Sequence, residues 1–191
     1  MKLHYKGKYD LNPENLPHGV HPPGAVPFKE AKDSKTFARI INISSVIYLI
    51  PLAAVLYLRS GSGFFSIQLS FGCILALITL FPHEFFHAIC FKEDVYLYTN
   101  LKQGMFFVVG PETMSKSRFI FMSMLPNIIF GFIPYIIACL YPALVFLGAF
   151  GALSIAMGAG DYYNVFHAVT QMPKGARTYL YKFNSFWYIP S

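Results

Sequence analysis

The chain has 191 residues, of which 55% are hydrophobic and only 13% charged, and its formal net charge is +6. A soluble domain of this size carries roughly 25% charged residues, so the composition excludes an ordinary soluble globule and points to an integral membrane protein. The basic residues flank apolar segments and form no single stripe, which argues for anionic lipid headgroups as their partner and against nucleic acid.

Residues 1–37 are polar and basic and contain Pro13, Pro17, Pro22, Pro23 and Pro27. Prolines forbid a long helix, and no apolar core with a small-residue cleavage site follows, so the expectation is a retained, extended cytosolic arm rather than a signal peptide. His4, His18 and His21 within it are expected to be solvated. Four apolar spans come next, each near or above the roughly 20 residues that cross a hydrocarbon core. They run from about Phe37 to Leu58, Phe64 to Phe91, Arg118 to Leu140 and Ala143 to Val169. Arg59-Ser60-Gly61-Ser62-Gly63 joins the first two and Tyr141-Pro142 the last two, while Pro126 and Pro134 interrupt the third. Gly148, Gly151, Gly158 and Gly160 in the fourth allow close helix approach.

Between the second and third spans lies a connector, Lys92 to Ser117. Its runs Val95 to Asn100 and Met105 to Val109 flank Leu101-Lys102-Gln103-Gly104 and predict a hairpin. Cys73, Cys90 and Cys139 all lie in apolar stretches without paired spacing, so no disulfide framework is expected, and Cys90 reads as a buried thiol. The expected fold is therefore an all-α membrane protein of four transmembrane helices with a short β-hairpin-like cytoplasmic connector. Residues 1–37 form the arm, 38–170 the four-helix body, and 171–191 an aromatic, basic tail at the membrane interface. Lys and Arg number fourteen in the leader up to Arg39, the connector taken to Arg118 and the tail, against Arg59 alone on the other side, which places both termini in the cytoplasm.

Near the end of the second span stands His83-Glu84-Phe85-Phe86-His87. On a helix, residues four apart share a face, so His83 and His87 can bind one Zn2+ ion while Glu84 takes a proton from water. A chance match of this HExxH pattern, given this composition, is expected about half a percent of the time. Two histidines do not suffice for a catalytic site, and a third ligand must lie at the same depth. Asp161 meets that condition and, with Glu84, is one of two acidic residues inside the spans. The alternative for Asp161 is a helix-end carboxylate reaching water or capping the break at Gly158 and Gly160. Asn164, three residues on, is a candidate to orient Asp161. Asn127 either lines the site or bonds to a neighbouring helix, and His167 is expected to be solvated at the interface.

The order of these parts resembles a known family. An HExxH helix, a hairpin-like connector, a helix with Pro126-Asn127 and the sequence Gly158-Ala159-Gly160-Asp161 are together similar to the zincin peptidases of bacterial membranes. These in turn resemble the site-2 protease group of intramembrane zinc metalloproteases. The resemblance covers about Gln68 to Val169 and implies His83, His87 and Asp161 as zinc ligands and Glu84 as catalytic acid and base. Site-2 proteases have Leu-Asp-Gly after Asn-Pro, whereas Asp161 here is preceded by Gly160 and followed by Tyr162. Their Gly-Pro before the asparagine is Leu125-Pro126 here, so substrate preference is not carried over.

The expected function is an intramembrane zinc metalloprotease that hydrolyses peptide bonds of membrane-associated proteins or peptides near the cytoplasmic face. A non-catalytic zinc-binding scaffold or sensor is the alternative, and Glu84 discriminates between them because a structural site has no use for a carboxylate there. A metal-ion transporter would need polar groups along several spans, and the first two spans, between Ile40 and Phe81, are nearly free of them, with small hydroxyls, Asn42 and Gln68.

Overall fold

The computed structural model describes residues 1–100 and 105–190; the expected turn Leu101-Lys102-Gln103-Gly104 lies outside the described residues. The chain divides into two compact units, one of residues 35–83 and 124–163 and one of residues 1–34, 84–123 and 164–191.

Helices account for the first unit. In chain order the helices are α1 (Ser34–Ser60), α2 (Ile67–Ile78), α3 (Leu80–Ala88), α4 (Lys116–Pro126), α5 (Ile133–Leu140), α6 (Val145–Met157) and α7 (Ala159–Gln171). Among the described residues, Ser34–Phe65, Ile67–Ala88 and Lys116–Leu140 are long and apolar enough to cross a membrane. A fourth stretch qualifies if α6 and α7, bent by 51° where they meet, count as one broken span. Ile43, Val46, Ile47 and Ile50 of α1 and Phe71, Ile74 and Ile78 of α2 are each more than half exposed, as suits a lipid-facing surface.

Helix α6 forms the centre of this unit and is buried along nearly its whole length. Its small side chains allow this. A Cβ added to Gly72 of α2 would lie 2.4 Å from the Phe146 carbonyl, so the two backbones touch where a larger residue would part them. The core around α6 joins Leu56, Tyr135, Ala138, Ala152 and Ile155. Arg59 donates from Nε (3.0 Å) and Nη2 (2.5 Å) to the Cys139 carbonyl and caps the C-terminal end of α5.

Breaks in the helices follow the prolines and glycines. Pro82 occupies the first turn of α3, where a missing N–H is tolerated, but it cannot donate to the Ile78 carbonyl where α2 stops. Between α4 and α5, Asn127–Phe132 is π-helical and lies between Pro126 and Pro134.

The second unit overturns the all-α expectation. It holds seven strands among the described residues: β1 (Leu3–Lys8), β2 (Val26–Pro27), β3 (Val95–Asn100), β4 (Met105–Val109), β5 (Met114–Ser115), β6 (Arg177–Tyr181) and β7 (Asn184–Tyr188). They form two sheets, ordered β1-β3-β4 and β2-β7-β6-β5. β3 and β4 pair antiparallel, with Leu97 opposite Val108, where the connector is expected to form a hairpin. β1 lies parallel to β3, with Leu3 opposite Val95. The leader and tail thus supply four strands: β6 and β7 pair with each other as a local hairpin, whereas β1 and β2 find their partners β3 and β7 far along the chain, and no local turn announces that pairing.

Phe28, Ala168, Met172 and Ala176 make one core of this unit, and Ala88, Phe91, Val95 and Met114 a second; Phe119 packs against both. Lys116 Nζ donates to the carbonyls of Val169 (3.1 Å) and Met172 (2.7 Å), satisfying groups at the C-terminal end of α7.

Candidate metal centre

Along α3, one ligand atom each from His83, Glu84 and His87 lies within 4.8 Å of the other two. His87 is 8% exposed and its Nδ1 lies 3.0 Å from the Met122 carbonyl. A carbonyl can only accept, so Nδ1 carries the proton and the neutral ring has its lone pair on Nε2, the tautomer a metal requires. Glu84 Oε2 accepts the Val108 N–H of β4 at 3.0 Å, which fixes the carboxylate against the sheet.

Within the helical unit, His83 Nε2 lies 3.1 Å from Asp161 Oδ2, with both side chains mostly buried. Asp161 stands in the first turn of α7, where the helix dipole favours a negative charge. Asn127, the first π-helical residue, is 1% exposed and donates from Nδ2 to the same Oδ2 at 2.7 Å. Its own Oδ1 accepts the Tyr162 hydroxyl at 3.3 Å. A Cβ on Gly158 would lie 1.7 Å from Asn127 Oδ1, so only glycine leaves room for the amide.

The structure therefore joins Asp161 to His83 and to Asn127, whose hydrogen bond to the carboxylate is also a bond to a neighbouring helix. Asn164 makes no side-chain hydrogen bond among the described residues, whereas Asn127 bonds Asp161 directly. His167 is 8% exposed rather than solvated, with Nδ1 2.5 Å from Gln171 Nε2. Cys90 turns its thiol back to the Phe86 carbonyl at 3.4 Å. Glu112, in the connector, is occupied by Arg118 and by two backbone N–H groups. Sequence reasoning did not find the parts played by Gly158, Tyr162 and the Val108 N–H. For Gly158 a signal existed in the glycine cluster before Asp161; for a backbone donor the sequence carries none.

Two ligand atoms at about 2 Å from one tetrahedral ion are about 3.3 Å apart, close to the spacing of His83 Nε2 and Asp161 Oδ2. Two imidazoles and a carboxylate are also a donor set that suits zinc. A family model described as putative zincin peptidase matches residues 76–177, more than half of the chain and enough to include every residue of this centre. The chain belongs to this zincin peptidase family. Membership implies zinc, and the His83, Glu84 and His87 cluster on α3 of this zincin-family chain supplies donors for it. No curated protein and no solved structure matches the chain.

Proposed function

We propose that this zincin-family chain is a zinc endopeptidase embedded in a membrane, similar to the site-2 proteases, that cleaves membrane-associated proteins or peptides near the cytoplasmic face. The observation that carries the proposal is the 3.1 Å approach of Asp161 to His83 on the helix that also bears Glu84 and His87. His83, His87 and Asp161 are the proposed ligands. When bound, zinc polarises the scissile carbonyl and acidifies water.

Everything else falls to the chain's own groups. Glu84, oriented through Oε2 by the Val108 N–H, takes the proton of the attacking water and passes it to the leaving amine. Asn127 holds Asp161 by its Oδ2, so the ligand keeps its direction as charge builds up. A substrate helix must unwind to expose its carbonyl, and β4, at the edge of its sheet, offers backbone groups to the unwound strand. The apolar stretches and the one-sided distribution of Lys and Arg support a multi-pass protein with cytoplasmic termini and a tail, 171–191, lying at the interface.

The test compares wild type, Glu84→Gln and His83→Ala, each co-expressed with a library of single-span membrane proteins and scored for cleavage. Glu84→Gln is expected to keep its zinc and fold but lose cleavage; His83→Ala is expected to lose both zinc and cleavage. Cleavage that survives in Glu84→Gln overturns the mechanism, and stoichiometric zinc without cleavage in wild type favours a scaffold.

A further inference from the structure

Beside the C-terminal end of α3 and the start of α4, the sheet-bearing unit has a cleft of about 440 Å³, the size of a small-ligand site. Its floor is built from one ion pair between a buried carboxylate and a half-buried guanidinium. Glu112, 7% exposed, accepts the N–H groups of Lys92 (2.6 Å) and Glu93 (3.0 Å) on Oε2 and pairs through Oε1 with Arg118. Arg118 also donates to the Cys90 carbonyl from Nε (3.0 Å) and Nη2 (2.6 Å). Five hydrogen bonds thus hold the turn that carries Lys92 and Glu93, and the two floor charges cancel.

The rim is different. Lys92 and Glu93 are exposed, and neither side chain has a hydrogen bond or ion pair among the described residues. Arg177 donates from Nη2 to the Thr113 carbonyl at 3.2 Å and has further N–H groups to offer, and Tyr188 adds a hydroxyl to the wall. With the floor neutralised, the rim presents two cations and one carboxylate to a ligand. A phosphodiester next to a primary ammonium complements that pattern, whereas a purely anionic group would meet Glu93.

We propose that this cleft binds the phosphoethanolamine headgroup of a membrane lipid, its phosphate on Lys92 and Arg177 and its ammonium on Glu93. The choice of a lipid source rests on the membrane reading above: Lys92 follows the apolar stretch Ile67–Ala88 by four residues, and Arg118 lies in the first turn of Lys116–Leu140. The cleft then stands at headgroup level.

The experiment uses the full chain, delipidated in neutral detergent, with Trp187, the one tryptophan, as a fluorescent reporter next to Tyr188. Phosphatidylethanolamine is expected to bind at least tenfold more tightly than phosphatidylcholine or phosphatidylglycerol. A Lys92→Gln/Arg177→Gln double variant is expected to lose at least tenfold in that affinity. Glu93→Gln is expected to abolish the preference over phosphatidylcholine while still binding both. Equal affinity for the three lipids, or an unchanged double variant, overturns the site. Soluble phosphoethanolamine binding as tightly as the lipid overturns the lipid source. Zinc content of these preparations, and membrane fractionation of the cells they are purified from, report the enzyme and membrane readings separately, so a chain that fractionates with membranes but discriminates no headgroup refutes the cleft alone.

Discussion

Asn127 gives its Nδ2 to Asp161 at 2.7 Å and takes the Tyr162 hydroxyl on Oδ1 at 3.3 Å, so its amide is held at both ends. Removing a donor that orients a metal ligand commonly costs 10- to 100-fold in metal affinity, and Asn127→Ala is expected to weaken zinc binding by about that factor in a chelator competition. Gly158 gives a second handle on the same bond. Gly158→Ala places a methyl group where the Asn127 oxygen stands, and the repacking is expected to cost about 1–3 kcal/mol and weaken zinc binding. Gly160→Ala is the control, because its nearest neighbour is Phe37 Cζ at 4.0 Å. Thermal midpoints and zinc affinities of the two alanine variants should separate clearly; equal behaviour would refute the cradle. Of this centre, the clustering of His83, Glu84 and His87 was legible because their spacing puts them together on one helix, and Asp161 was legible as a candidate because a carboxylate in an apolar stretch stands out. The part of Asn127 was not, because its partner depends on where the π-helical turn aims it.

At the scale of elements, one carboxylate ties the connector to α4. Burial alone would raise the Glu112 pKa, but the Arg118 guanidinium and the Glu93 and Lys92 N–H groups outweigh it and hold the carboxyl below the ordinary glutamate value of 4.5. A folded-state pKa below the unfolded one means that the ionised form stabilises the fold. That contribution is complete above pH 4.5 and is lost as pH falls through the folded value. Glu112→Gln is expected to cost roughly 2 kcal/mol near neutral pH and to flatten the acid limb of stability. Thermal midpoints of wild type and variant across the acid range check this, and parallel curves would contradict it. The elements themselves were unevenly legible. Apolar runs of about 20 residues identify themselves by length, and the β3–β4 hairpin by its flanking β-branched and aromatic residues. β1 and the β6–β7 hairpin lie in the polar leader and the aromatic tail, where half-buried strands resemble solvated or interfacial chain.

At the scale of the whole molecule, the distribution of positive charge makes its own prediction. In a background where Cys73, Cys90 and Cys139 are serine, Ser62→Cys is expected to react with an impermeant thiol reagent on intact cells. Lys174→Cys is expected to react only after permeabilisation. The reverse pattern would invert the proposed topology and place the zinc centre on the opposite side. Arg59, the basic residue that the proposed topology sets opposite the others, has a structural use in capping α5.

The sequence by itself determined the apolar stretches, the HExxH spacing and the candidate third ligand, because each rests on composition or on spacing along one helix. Only the tertiary structure decided that the leader and tail enter sheets, that Asn127 bonds Asp161, and that the Val108 N–H bonds Glu84. Those outcomes depend on hydrogen bonds between residues 24 to more than 150 positions apart in the chain. Such pairing is selected by the packing of whole elements, and no local pattern of side chains encodes it.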